Sequence, residues 1–162
     1  MKIKEQAMAY AIEEEKSSTH LIQEIKLTLN RKEKPKIVVT SSKDSYRELS
    51  KIWDNDIGLR ERFIALYLSR NNKIIGYYTV SSGGVNGTVV DNKLIFAIAL
   101  SLPASAIILA HNHPSGSLTP SEADKDITKN IQKAGKFLQI QILDHLIITS
   151  DGYMSFADEG LM

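Results

Sequence analysis

Five apolar residues, Ala106-Ile107-Ile108-Leu109-Ala110, run directly into His111-Asn112-His113-Pro114-Ser115-Gly116. The run is too short for a helix and carries β-branched members, so it reads as a buried strand. On an extended backbone, residues two apart point to one face, which sets the His111 and His113 imidazoles side by side at the strand's end. Pro114-Ser115-Gly116 turns the chain. Thr119-Pro120-Ser121-Glu122 then begins a helix: Thr119 is the expected cap, Pro120 fits the first helical position, and Glu122 completes a capping box. Ser121 and Asp124 lie three apart in the first turns, on one face. A strand end carrying two histidines therefore meets a helix start carrying Ser and Asp.

Two adjacent imidazoles at a strand mouth are costly unless something holds them, and a divalent cation would. His111, His113 and Asp124 make three ligands and leave a fourth position open, as in a catalytic zinc site; a structural site fills all four. Such a donor set favours Zn2+ over manganese or iron. A lone histidine is usually surface or core furniture, but the paired histidines, the serine and the aspartate at these spacings are hard to obtain by coincidence. The chain has no cysteine, which removes disulfides, thiolate metal sites and cysteine nucleophiles. It also has no His-Glu-x-x-His helix, and zinc deaminases need cysteines. The string His-Asn-His is not the HNH nuclease motif, whose residues are spread over a ββα unit.

The spacing His-x-His-x7-Ser-x-x-Asp, met by His111, His113, Ser121 and Asp124, resembles the JAMM (MPN+, or JAB) metalloprotease signature. The surrounding wording, ILAHNHPSG, then TPSEAD and later LDHLIIT, is similar to the RadC-like branch of that family. Asn112 stands where eukaryotic JAMM proteases usually have Ser or Thr, and is typical of the RadC-like branch. The resemblance implies an MPN/JAB fold, a curved mixed β-sheet flanked by helices.

Residues 1–35 read as a charged, helix-prone segment and linker, and 36–162 as the RadC-like JAB/MPN domain. Residues 37–40 are expected as a strand, followed by a helix from 41 with Tyr46, Leu49, Ile52 and Trp53 at helical spacing; Trp53 is assigned to the core. Strands are expected over 63–68 and 73–81 around an Arg70-Asn71-Asn72 turn. Asp91 caps a helix over 92–102 that is apolar enough to be buried on most sides, and Pro103 stops it. Ile127, Ile131 and Ala134 continue the helix begun at Thr119, with Gly135 ending it. Strands at 137–143, 146–149 and 153–156 complete an α/β (α+β) pattern.

Hydrolysis of an amide needs a proton shuttle as well as a metal. No glutamate lies between Arg62 and Ser121, so Glu61, directly before the strand over 63–68, is the candidate general acid/base. Glu61-Arg62-Phe63-Ile64-Ala65-Leu66 also resembles the family's glutamate-bearing segment. The resemblance gives Ser121 the role of hydrogen-bond donor to the oxyanion. Asn112 points away from the metal and anchors a loop. Asp144-His145, in an apolar strand region, is either a partner for a metal-bound histidine or a satisfied core pair, and the core reading is preferred.

The expected function is a zinc-dependent peptidase or isopeptidase with a peptide or isopeptide-linked protein substrate. The alternatives are a DNA-repair-associated accessory protein and a non-catalytic MPN scaffold. Lys plus Arg number 20 and Asp plus Glu 19, which gives no bulk pull toward nucleic acid. Residues 1–34 contain no glycine, so the glycine-rich turn of a helix-hairpin-helix is absent there, and direct DNA binding is not expected. With no apolar signal core and no membrane-length run, the expected compartment is the cytoplasm.

Overall fold

The computed structural model describes residues 37–53, 57–83 and 90–162. The expectation of a helical segment and linker over residues 1–35 lies outside them. Among the described residues the strands form one five-stranded mixed sheet, in the order β2-β1-β3-β4-β5. The strands are β1 (Arg62–Leu68), β2 (Ile74–Ser82), β3 (Ala106–Asn112), β4 (Gln141–Ile148) and β5 (Tyr153–Ser155). The helices are α1 (Ser42–Leu49), α2 (Asn92–Ser101) and α3 (Glu122–Leu138). β1 runs antiparallel to both β2 and β3, β3 is parallel to β4, and β5 is antiparallel to β4. A parallel pair needs a crossover, and α3 supplies it. This is the α/β architecture expected of an MPN/JAB domain.

Alternation along β1 and β3 divides the core in two. Ile64, Leu66, Leu68, Ala106, Ile108 and Ala110 face Leu49 and Trp53 on one side. Phe63, Ala65, Tyr67, Ile107 and Leu109 face Ile95, Phe96 and Ala99 of α2 and Ile131 of α3 on the other. All seven residues of β3 are buried, as a central strand covered on both faces requires. His111 has the parity of Ile107 and Leu109, so it emerges on the α2/α3 side.

Several expectations are corrected. Residues 37–40 form only a bridge, Val38 opposite Lys73, rather than a strand. α2 buries one face through Ile95, Phe96 and Ala99 and leaves Leu100 60% exposed, so its burial is not all-round. α3 does not end at Gly135 but runs to Leu138, with the left-handed Gln139 (φ 58°) as its cap. Gly135 has a different task. A Cβ there would sit 2.5 Å from the Ile140 carbonyl oxygen, so glycine lets the returning chain pack against the helix. Phe137 is consequently helical and 87% exposed, and the two strands expected at 137–149 are one continuous β4.

Candidate metal centre

The site forms where β3 leaves the sheet and α3 begins, outside the carboxyl ends of the parallel β3–β4 pair. Open α/β sheets tend to bind ligands at such a place. β3 extends through Asn112, so His111 lies within the strand rather than after it. His111 is buried at 1% exposure. Its Nε2 lies 2.9 Å from His113 Nε2 and 3.2 Å from Asp124 Oδ1. His113 Nε2 is 3.6 Å from Asp124 Oδ2. The three ligand atoms lie within 4.8 Å of one another, the one such group among the described residues.

The helix start differs from the sequence expectation. Ser121, not Thr119, is the cap, and Asp124, not Glu122, completes the capping box. The Ser121 side chain accepts from Asp124 N at 3.1 Å, and Ser121 N donates to Asp124 Oδ2 at 2.7 Å. The Ser121 hydroxyl donates to the same oxygen at 2.6 Å. One carboxylate thus closes the helix end with Oδ2 and turns Oδ1 toward His111.

The electrostatics ask for a positive charge at the centre. Burial opposes the charge on Asp124, but the bonds to His111 and His113 override it and hold its carboxyl well below the usual carboxylate range. Asp124 in turn raises His113 above the usual histidine value, against partial burial, with smaller contributions from the Ser117 carbonyl and the Glu61 charge. The Ser117 carbonyl can only accept, so the 2.8 Å contact puts a proton on His113 Nδ1. Two imidazole nitrogens at 2.9 Å beside a carboxylate need a proton or a cation among them. The donor set, two imidazole nitrogens and one carboxylate oxygen, could hold a metal ion with a coordination position left open.

Glu61 is half-buried and precedes β1. The β1–β3 register pairs Phe63 with His111, two residues from Glu61 and two from His113, and the Glu61 charge is among the influences that raise His113. Gly83 N donates to the Glu61 carbonyl at 3.1 Å, which fixes its backbone to the end of β2. Asn112 points to the opposite face, as expected, and is fully buried. Its Oδ1 accepts from Trp53 Nε1 (2.9 Å) and Arg62 N (2.8 Å), and its Nδ2 donates to the carbonyls of Ile57 (2.6 Å) and Arg60 (2.7 Å). It anchors the segment that leads into Glu61.

The RadC-like JAB domain model matches residues 38–161. The chain belongs to the RadC-like JAB domain family. A UPF0758 protein of Flavobacterium johnsoniae is 49% identical over 125 residues, 76% of this chain and 53% of that protein. One from Porphyromonas gingivalis is 47% identical over 125 residues, 76% of this chain and 54% of that protein. UPF0758 protein YfjY of Escherichia coli is 43% identical over 103 residues, 64% of either chain. This RadC-like chain therefore spans about half the length of the first two relatives. No helix among its described residues is long and apolar enough to cross a membrane.

Within the RadC-like domain the Asp144-His145 pair divides. Asp144 is a core acceptor for Ser155 Oγ (2.6 Å), His145 N (2.7 Å) and Ala157 N (3.0 Å), with its pKa raised by burial. His145 instead reaches the metal centre, with Nε2 2.8 Å from His111 Nδ1. The preference for a core pair holds for Asp144 and is corrected for His145. The signal was the polar pair interrupting an apolar strand, but only the β3–β4 register, which sets Leu109 beside His145, brings that ring to His111.

Proposed function

We propose that this domain is a metal-dependent hydrolase of peptide or isopeptide bonds, loaded with zinc. The observation that carries the reading is the convergence of His111, His113 and Asp124 into one donor cluster in a chain of the RadC-like JAB family. His111, His113 and Asp124 would hold the divalent cation, which when bound would supply Lewis-acid polarisation of a carbonyl and a water acidic enough to be deprotonated near neutral pH. Glu61 takes the proton from water and returns it to the departing amine. Ser121 turns its hydroxyl from Asp124 toward the developing oxyanion and donates to it. Asn112 keeps the Glu61 segment in register with the histidines. The substrate is a peptide or an isopeptide-linked protein met in the cytoplasm, without direct DNA binding.

Metal content and a glutamate variant test this together. Purified protein should hold about one zinc per chain, and His113→Ala should lose it. Glu61→Gln should bind zinc like the wild type and lose on the order of a hundredfold or more of the hydrolysis found with a library of peptides and isopeptide-linked conjugates. Full zinc retention in both His111→Ala and His113→Ala would overturn the metal assignment. Unchanged turnover in Glu61→Gln would remove the glutamate from the mechanism.

A further inference from the structure

The three donors do not exhaust the hydrogen bonding of the centre. Behind His111 lies a second buried imidazole, and behind that a threonine. His145 is fully buried, stacked on Phe156 at 4.7 Å between centroids and met edge-on by Phe63 at 5.4 Å. Its Nε2 is 2.8 Å from His111 Nδ1, and its Nδ1 is 2.6 Å from Thr128 Oγ1. Thr128 is itself buried, one turn beyond Asp124 on α3, with Oγ1 2.5 Å from the Asp124 carbonyl oxygen.

The direction of these bonds is fixed from one end. A backbone carbonyl only accepts, so the single Thr128 hydroxyl proton points at the Asp124 oxygen. Thr128 Oγ1 must then accept from His145, which places a proton on His145 Nδ1. In the tautomer with that proton on Nδ1, His145 Nε2 carries the lone pair and accepts from His111 Nδ1–H. His111 in turn is left with its lone pair on Nε2, the atom that faces His113 and Asp124. Four polar groups in series thus decide which nitrogen of His111 is bare.

We propose that Thr128 and His145 form a buried hydrogen-bond relay that fixes the tautomer of His111 and presents its Nε2 lone pair to a divalent cation. Both are positioning residues: neither touches the cation or the substrate. α3 contributes at both ends of the relay, because the residue whose carbonyl orients Thr128 also supplies the carboxylate ligand. The helix sets ligand and tautomer together. The relay rests on the metal reading only in its effect on affinity; the tautomer itself belongs to the metal-free protein.

The decisive variant is Thr128→Val, which keeps the β-branched shape and removes the hydroxyl, with Thr128→Ser as the conservative control. The first measurement is the side-chain nitrogen NMR spectrum of the metal-free protein at about pH 8, above the usual histidine range. Wild type should show the proton of His111 on Nδ1 and that of His145 on Nδ1. Thr128→Val should lose that pattern, and Thr128→Ser should keep it. The second measurement is competition for Zn2+ against a chromophoric chelator. Thr128→Val should bind about 10–100-fold more weakly, the usual effect of removing an outer hydrogen-bond partner of a ligating histidine, while Thr128→Ser stays close to wild type. Far-UV circular dichroism confirms that both variants are folded. A wild-type His111 carrying its proton on Nε2, or a folded Thr128→Val with wild-type zinc affinity, overturns the relay. Absence of zinc uptake by the wild type would instead defeat the hydrolase reading, and the nitrogen spectra would still decide the relay.

Discussion

Replacing Asn112 with alanine removes four hydrogen bonds at once. The partners do not suffer equally. The Ile57 and Arg60 carbonyls lie at the edge of the fold, where water can replace the lost donor. Trp53, 7% exposed, loses its acceptor in the interior, and the half-buried Arg62 amide loses its own at the start of β1. A stranded buried donor costs about 1–3 kcal/mol and the half-buried amide adds less, so the loss is about 1–4 kcal/mol before any cavity is counted. That is a large fraction of the ~5–15 kcal/mol by which a domain is stable. Urea unfolding followed by tryptophan fluorescence measures it, since Trp53 is the sole tryptophan. Hydrogen exchange should show the amides of 57–62 opening more than those of β3. Asn112→Asp separates the two sides of the amide: it keeps the acceptor for Trp53 and Arg62 but turns a carboxylate oxygen toward the two carbonyls. Its deficit should therefore shrink as the pH falls and the carboxyl protonates. A loss below about 1 kcal/mol in Asn112→Ala, with exchange over 57–62 unchanged, would refute the anchoring argument.

Gly135→Ala should destabilise by about 1–3 kcal/mol in chemical unfolding, despite the ~1 kcal/mol that alanine gains in a helix, because its Cβ meets the Ile140 carbonyl at 2.5 Å; a stabilised variant would show that the helix and β4 shift apart at little cost. The pH dependence of zinc uptake follows from His113 and Asp124. The raised His113 contributes stability to the metal-free fold that is complete below its ordinary value of 6.5 and is lost as the pH rises through its higher folded value. The lowered Asp124 contributes stability above its ordinary value of 3.8 that is lost on descent through its folded value. On the proposed metal reading a cation would displace the His113 proton, so affinity should rise with pH from 6.5 through the folded value, with proton release visible by calorimetry in two buffers. A flat profile over that interval would mean that no proton occupies the centre.

The donor set was legible because its spacing is local. His-x-His on a strand and Ser-x-x-Asp on a helix start each put their side chains on one face without help from the rest of the fold. The helix start was misplaced by two residues for a definite reason. Thr119 with Glu122 and Ser121 with Asp124 satisfy the same capping pattern, and the choice between them depends on Asp124 facing His111, which is a tertiary fact. The end of α3 was misread because glycine marks both helix caps and close approaches; at Gly135 the second applies. The alternating parity of β3 identified Asn112 as turned from the metal, but its four partners depend on how 57–62 folds back. His145 lies 34 residues from His111, and no local periodicity joins them.

The capping of α3 bears on the order in which such a protein is assembled. Ser121 and Asp124 satisfy the helix end from within the chain, and the sheet and its two apolar layers close around groups the polypeptide itself supplies. On the proposed metal reading, a cation would then be taken on by a fold whose helix end is already closed. If that reading holds, chelation should empty the centre and lower the melting temperature by no more than the lost binding free energy accounts for, with the helical signal kept.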